Sequence, residues 1–458
     1  MNTLVQTLFE SYNALFHLES LLFVVLKFFP FVLLLELPLY IFVFLGMIKG
    51  RLRERAEKRL NWNTPRTYFP RVSCIVTSYS EGEAVIRTIR TLADQLYPSR
   101  IQLVVIVDGS NQNRDTYEAA KSTEKYVKSR ANRDIIIVPK RQRGGRVSAL
   151  NTGLHFSDGE IIMNLDGDTS FDNDMVWNAT RHFSDPLVFG VAGNLRVRNA
   201  KNIVTRLQAA EYFLSINASR KGLAEFNAIN NISGAFGIFR RSALEAVDGW
   251  DAGTAEDLDL TLRLKHYFRR HKLKLKFDPE AVGHTDVPDT LRGVLNQRLR
   301  WDGDLAFIYL RKHWKSFSPG LVGYVNFILL LLNGLLIQLV MPFMIVLYLI
   351  FIFFALPFHL ALFLSTLTYM FYVMATLMIW LFAIPLASER EKHDLGMTPW
   401  IFVLPFYSLL LRLNGAFATL WELFGRGHED TSMAPWWTTK KSKFGMEKKS
   451  ERIRSLRI

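Results

Sequence analysis

Ile161-Ile162-Met163-Asn164-Leu165-Asp166-Gly167-Asp168 is an apolar run of strand length that ends in two carboxylates separated by one glycine. Alternation along a strand places Asp166 and Asp168 on the same side of the backbone. Gly167 between them allows another group, or a phosphate, to approach the main chain closely. Two hard oxygen ligands at the C-terminal end of a buried strand suit a divalent cation that keeps positions open for phosphate oxygens. In an open α/β sheet, that end of the strands is where ligands bind. Taken alone, the same residues also fit an Asp-rich turn closing a hairpin.

The surrounding segments alternate strand and helix signals. Arg71 to Tyr79 is β-rich, Glu83 to Gln95 helical, and Ile101 to Val107 a continuous apolar strand closing on Asp108-Gly109-Ser110. Asn113 to Ser129 reads as helix, Ile135 to Val138 as strand, and Arg146 to His155 as the helix leading into Ile161. Continuous apolar strands separated by helices predict a mostly parallel α/β sheet covered on both faces.

Composition sets the outer limits. Of 458 residues 49% are hydrophobic, so the chain is not purely a soluble domain, and its length admits two or three units. The net charge of +14 (56 basic minus 42 acidic) suits nucleic acid, a membrane surface or an anionic substrate. Cys74 is the sole cysteine, which excludes an internal disulfide and a thiol cluster for zinc. It reads as a small core residue.

The flanks resolve the charge. Residues 1–49 read as a membrane anchor, an interfacial segment followed by one span at Phe28 to Ile48, within which Glu36 must face protein or water. Residues 50–70 read as a basic linker on the cytoplasmic side. Residues 71–316 form the α/β domain, and 320–424 hold about four crossings, with Pro342, Pro357 and Pro405 allowing broken helices. Residues 425–458 form a basic cytoplasmic tail. The excess charge therefore belongs beside a bilayer, and nucleic acid is the weaker partner. Ile203 to Ile216 is amphipathic, with Ile203, Leu207, Ala210 and Leu214 on one face, as either a leaflet-docking or a core-facing helix.

Three further clusters carry chemistry. Lys140 to Arg146 joins four cations to a Gly-Gly turn, which suits a diphosphate or forms a solvated basic loop. Glu256-Asp257-Leu258-Asp259 opens a helix, where Asp259 reads as a dipole partner. Gln297-Arg298-Leu299-Arg300-Trp301 sets guanidinium groups beside an aromatic face, for a leaving diphosphate and a sugar ring or as a core Trp with surface arginines.

In this order the motifs resemble the processive, membrane-embedded family 2 glycosyltransferases, which include synthases of cellulose, poly-N-acetylglucosamine, chitin oligosaccharide and hyaluronan. The resemblance covers about Ser73 to Trp301 and the flanking membrane segments. It implies a GT-A-type cytoplasmic catalytic domain joined to an α-helical transmembrane bundle. It assigns Asp257 as the general base, although Ala255 stands where the family has threonine. It implies Mg2+ or Mn2+ at Asp168 and Asp166, and donor contacts from Tyr79, Glu81, Asp108, Lys140, Arg146, Asp166, Gln297 and Arg300. Trp301, Gly234 and Phe236 would meet the acceptor. In the tail, Trp437, Thr439, Lys440 and Lys441 are similar to a gating loop, and fit an interfacial anchor equally well.

The implied activity is inverting, metal-dependent, processive transfer from a nucleotide-sugar, UDP-GlcNAc or UDP-glucose, into a β-linked exopolysaccharide exported across the inner membrane. The implied partners are the growing polymer, the bilayer, and accessory export or regulatory subunits. The competing readings are a non-processive transferase acting on a lipid-linked acceptor and a non-catalytic nucleotide-binding receptor or transport subunit. The last leaves Asp257 and Trp301 without a task.

Overall fold

The computed structural model describes residue 6 and residues 35–60, 66–251, 255–267 and 273–425. Its centre is one eight-stranded sheet in the order β3-β2-β1-β4-β7-β6-β8-β5. The strands are β1 (Val72–Ser78), β2 (Ile101–Val107), β3 (Arg133–Pro139), β4 (Ile161–Asp166), β5 (Ser170–Phe171), β6 (Val188–Val197), β7 (Phe236–Arg240) and β8 (Lys274–Thr285). The first half is parallel: β1 pairs with both β2 and β4, and β2 with β3. The second half corrects the expectation of a mostly parallel sheet. There β7 runs antiparallel to β4 and β6, and β5 antiparallel to β8, with β6 and β8 parallel. The sheet is mixed, and the sequence does not show it because an apolar run buried on both faces reads the same in either direction.

The burial behind those runs is two-sided, as predicted. Val72, Cys74, Val76, Leu103, Val105, Ile161 and Met163 lie in the core on one face, and Ile75, Val104, Ile106 and Ile162 in that on the other. Cys74 is fully buried among them. The chain leaves β1 toward β2 and β3, then crosses back to β4 on β1's other side. That reversal opens a crevice at the C-terminal ends of β1, β2 and β4. The register sets Thr77 beside Asp166 and Ser78 beside Val107, so Tyr79, Asp108 and Asp166 reach one rim.

The helices that frame the site are, in chain order, α1 (Leu37–Leu60), α2 (Ala84–Ala93), α3 (Gly145–Phe156), α4 (Met175–Arg181), α5 (Ile203–Tyr212), α6 (Ser219–Ala224), α7 (Glu256–Tyr267) and α8 (Leu291–Phe307). The expected linker from residue 50 is instead the second half of α1. Charged residues carry that helix on by pairing: Arg53 with Glu225 at 2.5 Å and Glu54 with Lys221 at 3.0 Å. Two turns earlier α1 meets α6 backbone to backbone, since a Cβ on Gly46 would overlap the Gly222 carbonyl and one on Gly222 the Val43 carbonyl. Glu36 faces protein, near Arg412 at 3.9 Å and accepting from the Tyr372 hydroxyl at 3.1 Å.

Beyond the sheet domain the chain forms α9 (Tyr324–Phe354), α10 (Phe358–Ala387) and α11 (Leu404–Gly425). Among the described residues α9 and α10 are the helices long and apolar enough to cross a membrane. The sequence reading of about four crossings thus becomes three long helices. Pro342 does not split α9, whose π-helical stretch Leu330–Val340 leads directly into it, and only Leu356-Pro357 breaks the rod. Helix α5, capped by Asn202 Oδ1 accepting from Thr205 N at 2.9 Å, buries Leu207 and Ala210 while Ile203 stays exposed. It packs against β6, α11 and the Thr398–Phe402 turn rather than standing alone at a leaflet. Phe213 meets Trp380 of α10 edge to face at 4.9 Å, so one sheet face and the apolar helices share a core.

Candidate active site

The crevice is organised by Arg146, in the first turn of α3. Its Nη1 donates to Asp166 Oδ1, its Nη2 donates to the Gly234 carbonyl, and its Nε lies against Glu256 Oε1, each at 2.5 Å. One guanidinium therefore joins the end of β4, the loop before β7 and the start of α7. Burial alone would lower its pKa, but Asp166 and Glu256 more than reverse this and hold it above the ordinary range. Arg146 is thus a hub that joins three elements of the protein. Burial pushes Glu256 up to about 7 even with Arg146 opposing it.

Asp257 follows directly and, unlike its neighbours, is only half-buried. Its Oδ2 accepts from Gly234 N at 3.0 Å and Asn231 Nδ2 at 3.3 Å, and its Oδ1 from Leu258 N at 2.7 Å. Gly234 also leaves room for the neighbouring carboxylate, because a Cβ there would stand 2.6 Å from Glu256 Oε1. Asp259 is a structural anchor: Arg263 Nε and His313 Nε2 each lie 2.7 Å from its carboxylate, and Lys312 Nζ lies 2.9 Å away.

On the opposite wall stand Asp166, Asp168 and Glu81. Burial first, then Asp166, pushes Asp168 up to about 6. Burial, then Asp168 and Asp166, pushes Glu81 up to about 8, and its Oε2 is buried without a hydrogen-bond partner. These carboxylates crowd one another with too little positive charge, which fits a divalent cation. Among the described residues no group of three or more His, Cys, Asp or Glu side chains forms a complete metal site. Gly167 admits another group against the main chain, and that group is Ser78 of β1, whose Oγ a Cβ at Gly167 would overlap.

Asp108 is buried and already engaged, accepting from Gly144 N at 2.9 Å, Gly145 N at 2.8 Å and Lys140 Nζ at 3.1 Å. Lys140 also donates to Ser148 Oγ at 2.7 Å. Both shape the turn before α3. Arg141 and Arg143 are the exposed cations of this loop, and the Arg143 guanidinium lies 4.1 Å from the Tyr79 ring centroid. It lay unchosen in the Lys140–Arg146 run.

Helix α8 borders the same space. Tyr212, pushed up to about 12 by burial, lies within electrostatic reach of Arg298 and of Asp168 and Asp166. Arg298 pairs with Glu211 at 2.7 Å and covers the half-buried Trp301 ring at 4.6 Å. Gln297 Oε1 and Arg300 Nε are buried without partners. Phe236, expected at the acceptor, is fully buried in β7, edge to face with Phe171 at 5.2 Å, as a core residue. Trp437, Thr439, Lys440 and Lys441 lie outside the described residues. Sequence reasoning also missed Arg220, whose buried Nη1 has no partner and whose guanidinium lies within the field of Asp257. It stands in α6 beside Lys221, in a segment that carries no motif.

A crevice at a strand-order reversal, lined by crowded carboxylates and orphaned donors, is how a sheet enzyme receives a phosphorylated ligand. The model of Glycosyl transferase family 2 matches residues 73–248, and that of Glycosyl transferase family group 2 matches residues 161–413, more than half the chain. The chain belongs to glycosyl transferase family group 2. It is 31% identical over 247 residues to the poly-beta-1,6-N-acetyl-D-glucosamine synthase of Staphylococcus epidermidis, covering 54% of this chain and 57% of that one. It is 30% identical over 231 residues to the synthase of Staphylococcus aureus strain COL, covering 50% and 53%. The chain thus spans little more than half the length of these relatives. Among solved structures it resembles the mannosyltransferase PcManGT from Pyrobaculum calidifontis, in complex with GDP-Man and Mn2+. The TM-score is 0.51 at 18% identity, covering 85% of this chain and 99% of that one, a likeness of fold.

Proposed function

We propose that this chain is an inverting, processive hexosyltransferase that polymerises N-acetylglucosamine from UDP-GlcNAc into a β-linked exopolysaccharide and passes it across the inner membrane. The observation that carries this reading is Asp257. It is the half-buried carboxylate of the segment opening α7, held by Gly234 N, and the Gly234 carbonyl accepts from the same Arg146 that donates to Asp166. The staphylococcal relatives support N-acetylglucosamine over glucose, and a 1,6 linkage.

The acceptor hydroxyl is a poor nucleophile, and Asp257 takes its proton as the oxygen attacks the anomeric carbon. A single displacement with one base inverts an α-linked donor to a β-linked product. Arg143 and Arg300 face the departing diphosphate, while Trp301 offers a flat surface to a sugar ring. Asp168, with Asp166 beside it, would hold Mg2+ or Mn2+, the remaining positions going to diphosphate oxygens. Bound there, the cation supplies charge stabilisation to the leaving group. Helices α9 and α10 form a membrane hairpin whose two ends lie on the catalytic, cytoplasmic side.

The test is incubation of the full-length protein in nanodiscs with radiolabelled nucleotide-sugars and Mg2+ or Mn2+, followed by sizing and linkage-specific hydrolase digestion. Polymer made from UDP-GlcNAc and cut by a β-1,6-specific hydrolase is the expected result. Nucleotide binding with no transfer to any acceptor would overturn it.

A further inference from the structure

We infer that the loop 388–394, between α10 and α11, is a positioning element for Asp168; this rests on the reading of Asp168 as a cation-holding carboxylate. Asp168 lies in the turn between β4 and β5. A two-residue strand such as β5 holds little by its own pairing. The turn is instead fastened from outside. Arg198, just past β6, donates from Nη2 to the Asp168 carbonyl at 3.2 Å and from Nη1 to Ser170 Oγ at 3.0 Å. Asp172, just past β5, accepts from Arg390 Nη2 at 2.7 Å and lies 2.8 Å from His284 Nε2. Ser170 and His284 are register partners between β5 and β8.

Arg390 belongs to the 388–394 loop, and the same loop grips β6 two residues before Arg198. Arg196 donates to both oxygens of Glu389 at 2.7 Å and to Asp394 Oδ2 at 2.9 Å. Ser388 Oγ donates to Asp394 Oδ2 at 2.6 Å, and Asn217 Nδ2 to Glu389 Oε2 at 2.8 Å. Arg196 and Asp394 are buried, so this fork-to-carboxylate clamp holds one geometry. Arg196 and Arg198 point to the same side of the extended chain. The loop thus holds the far end of β5 directly, through Arg390 and Asp172, and the Asp168 turn indirectly, through β6 and Arg198. The turn needs fixing because Asp166 and Asp168 repel each other across Gly167.

The experiment uses full-length protein in nanodiscs and two variants, Glu389→Gln and Arg390→Gln. Neither residue touches substrate or cation. Mn2+ affinity is read by electron paramagnetic resonance in the presence of UDP, and hydrogen exchange at residues 167–172 is read without cation. Loosening a support behind a ligating carboxylate weakens Mn2+ binding about 10-fold, and exchange at 167–172 rises. The exposed Arg390–Asp172 pair contributes little to global stability, so Arg390→Gln decides the matter alone should Glu389→Gln fail to fold. Parent-like Mn2+ affinity together with parent-like exchange would overturn the inference. If the parent itself binds no Mn2+ with UDP, the assignment of Asp168 falls, and the exchange measurement still decides whether the loop holds the turn.

Discussion

Arg146 Nε and Glu256 Oε1 lie 2.5 Å apart, and the same guanidinium holds Asp166 on the opposite wall of the crevice. The distance between the proposed base, next to Glu256, and the carboxylate pair is therefore set by one side chain. Glu256→Gln keeps the size but removes the charge that Arg146 faces. A small displacement of reacting groups costs about 100-fold in rate, so kcat falls by that order while nucleotide affinity changes little. Steady-state kinetics beside a nucleotide titration check this.

Gly234 gives a second handle on the same geometry. Its N–H holds Asp257 and its carbonyl accepts from Arg146, while a Cβ would sit 2.6 Å from Glu256 Oε1. Gly234→Ala is expected to cost about 1–3 kcal/mol of stability through overpacking and to depress kcat further. Chemical denaturation and turnover, measured on one preparation, separate the two effects.

Asp257→Asn removes proton acceptance and keeps the contacts with Gly234 and Asn231 nearly intact. A lost general base costs about 10²–10⁴-fold, with UDP-sugar binding preserved. A mutant that still polymerises at near-normal rate removes Asp257 from the mechanism.

Glu81 makes the stability of the cation-free protein fall as pH rises. Its folded pKa, raised to about 8 from a model-peptide range near 4.5 by burial and by Asp168 and Asp166, means the folded state binds the extra proton. Stability from this group is full below about pH 4.5, declines up to about pH 8 and is flat above. Asp168, raised to about 6, acts in the same direction at lower pH. The melting temperature of Glu81→Gln minus that of the parent should rise from pH 5 to pH 8. Mn2+ with UDP should shrink that rise. A pH-independent difference refutes the crowding of these carboxylates.

Much of the site was legible because it depends on local pattern. The apolar run ending at Asp166 read as a buried strand, and Glu36 had to face protein or water rather than lipid. The direction of β7 was not legible, since burial on two faces erases the alternation that would mark its role. Phe236 misled because a motif position and a core position look alike in one sequence, and only Phe171 across the sheet distinguishes them. Arg146 was chosen for its charge, yet its partners lie on three elements up to 110 residues away. The Arg196 clamp joins residues separated by nearly 200 positions, a pairing that no window of sequence displays.

The contact of Gly46 with Gly222 decides where this chain can be cut. A water-soluble fragment beginning after α1 would keep the whole sheet, yet it would strip the cover from Leu223, Ala224 and Phe226. It would also leave Glu225 and Lys221 without Arg53 and Glu54. Such a fragment should be sticky and poorly behaved, and the shortest version that stays monomeric should be one that retains α1, handled with a surfactant.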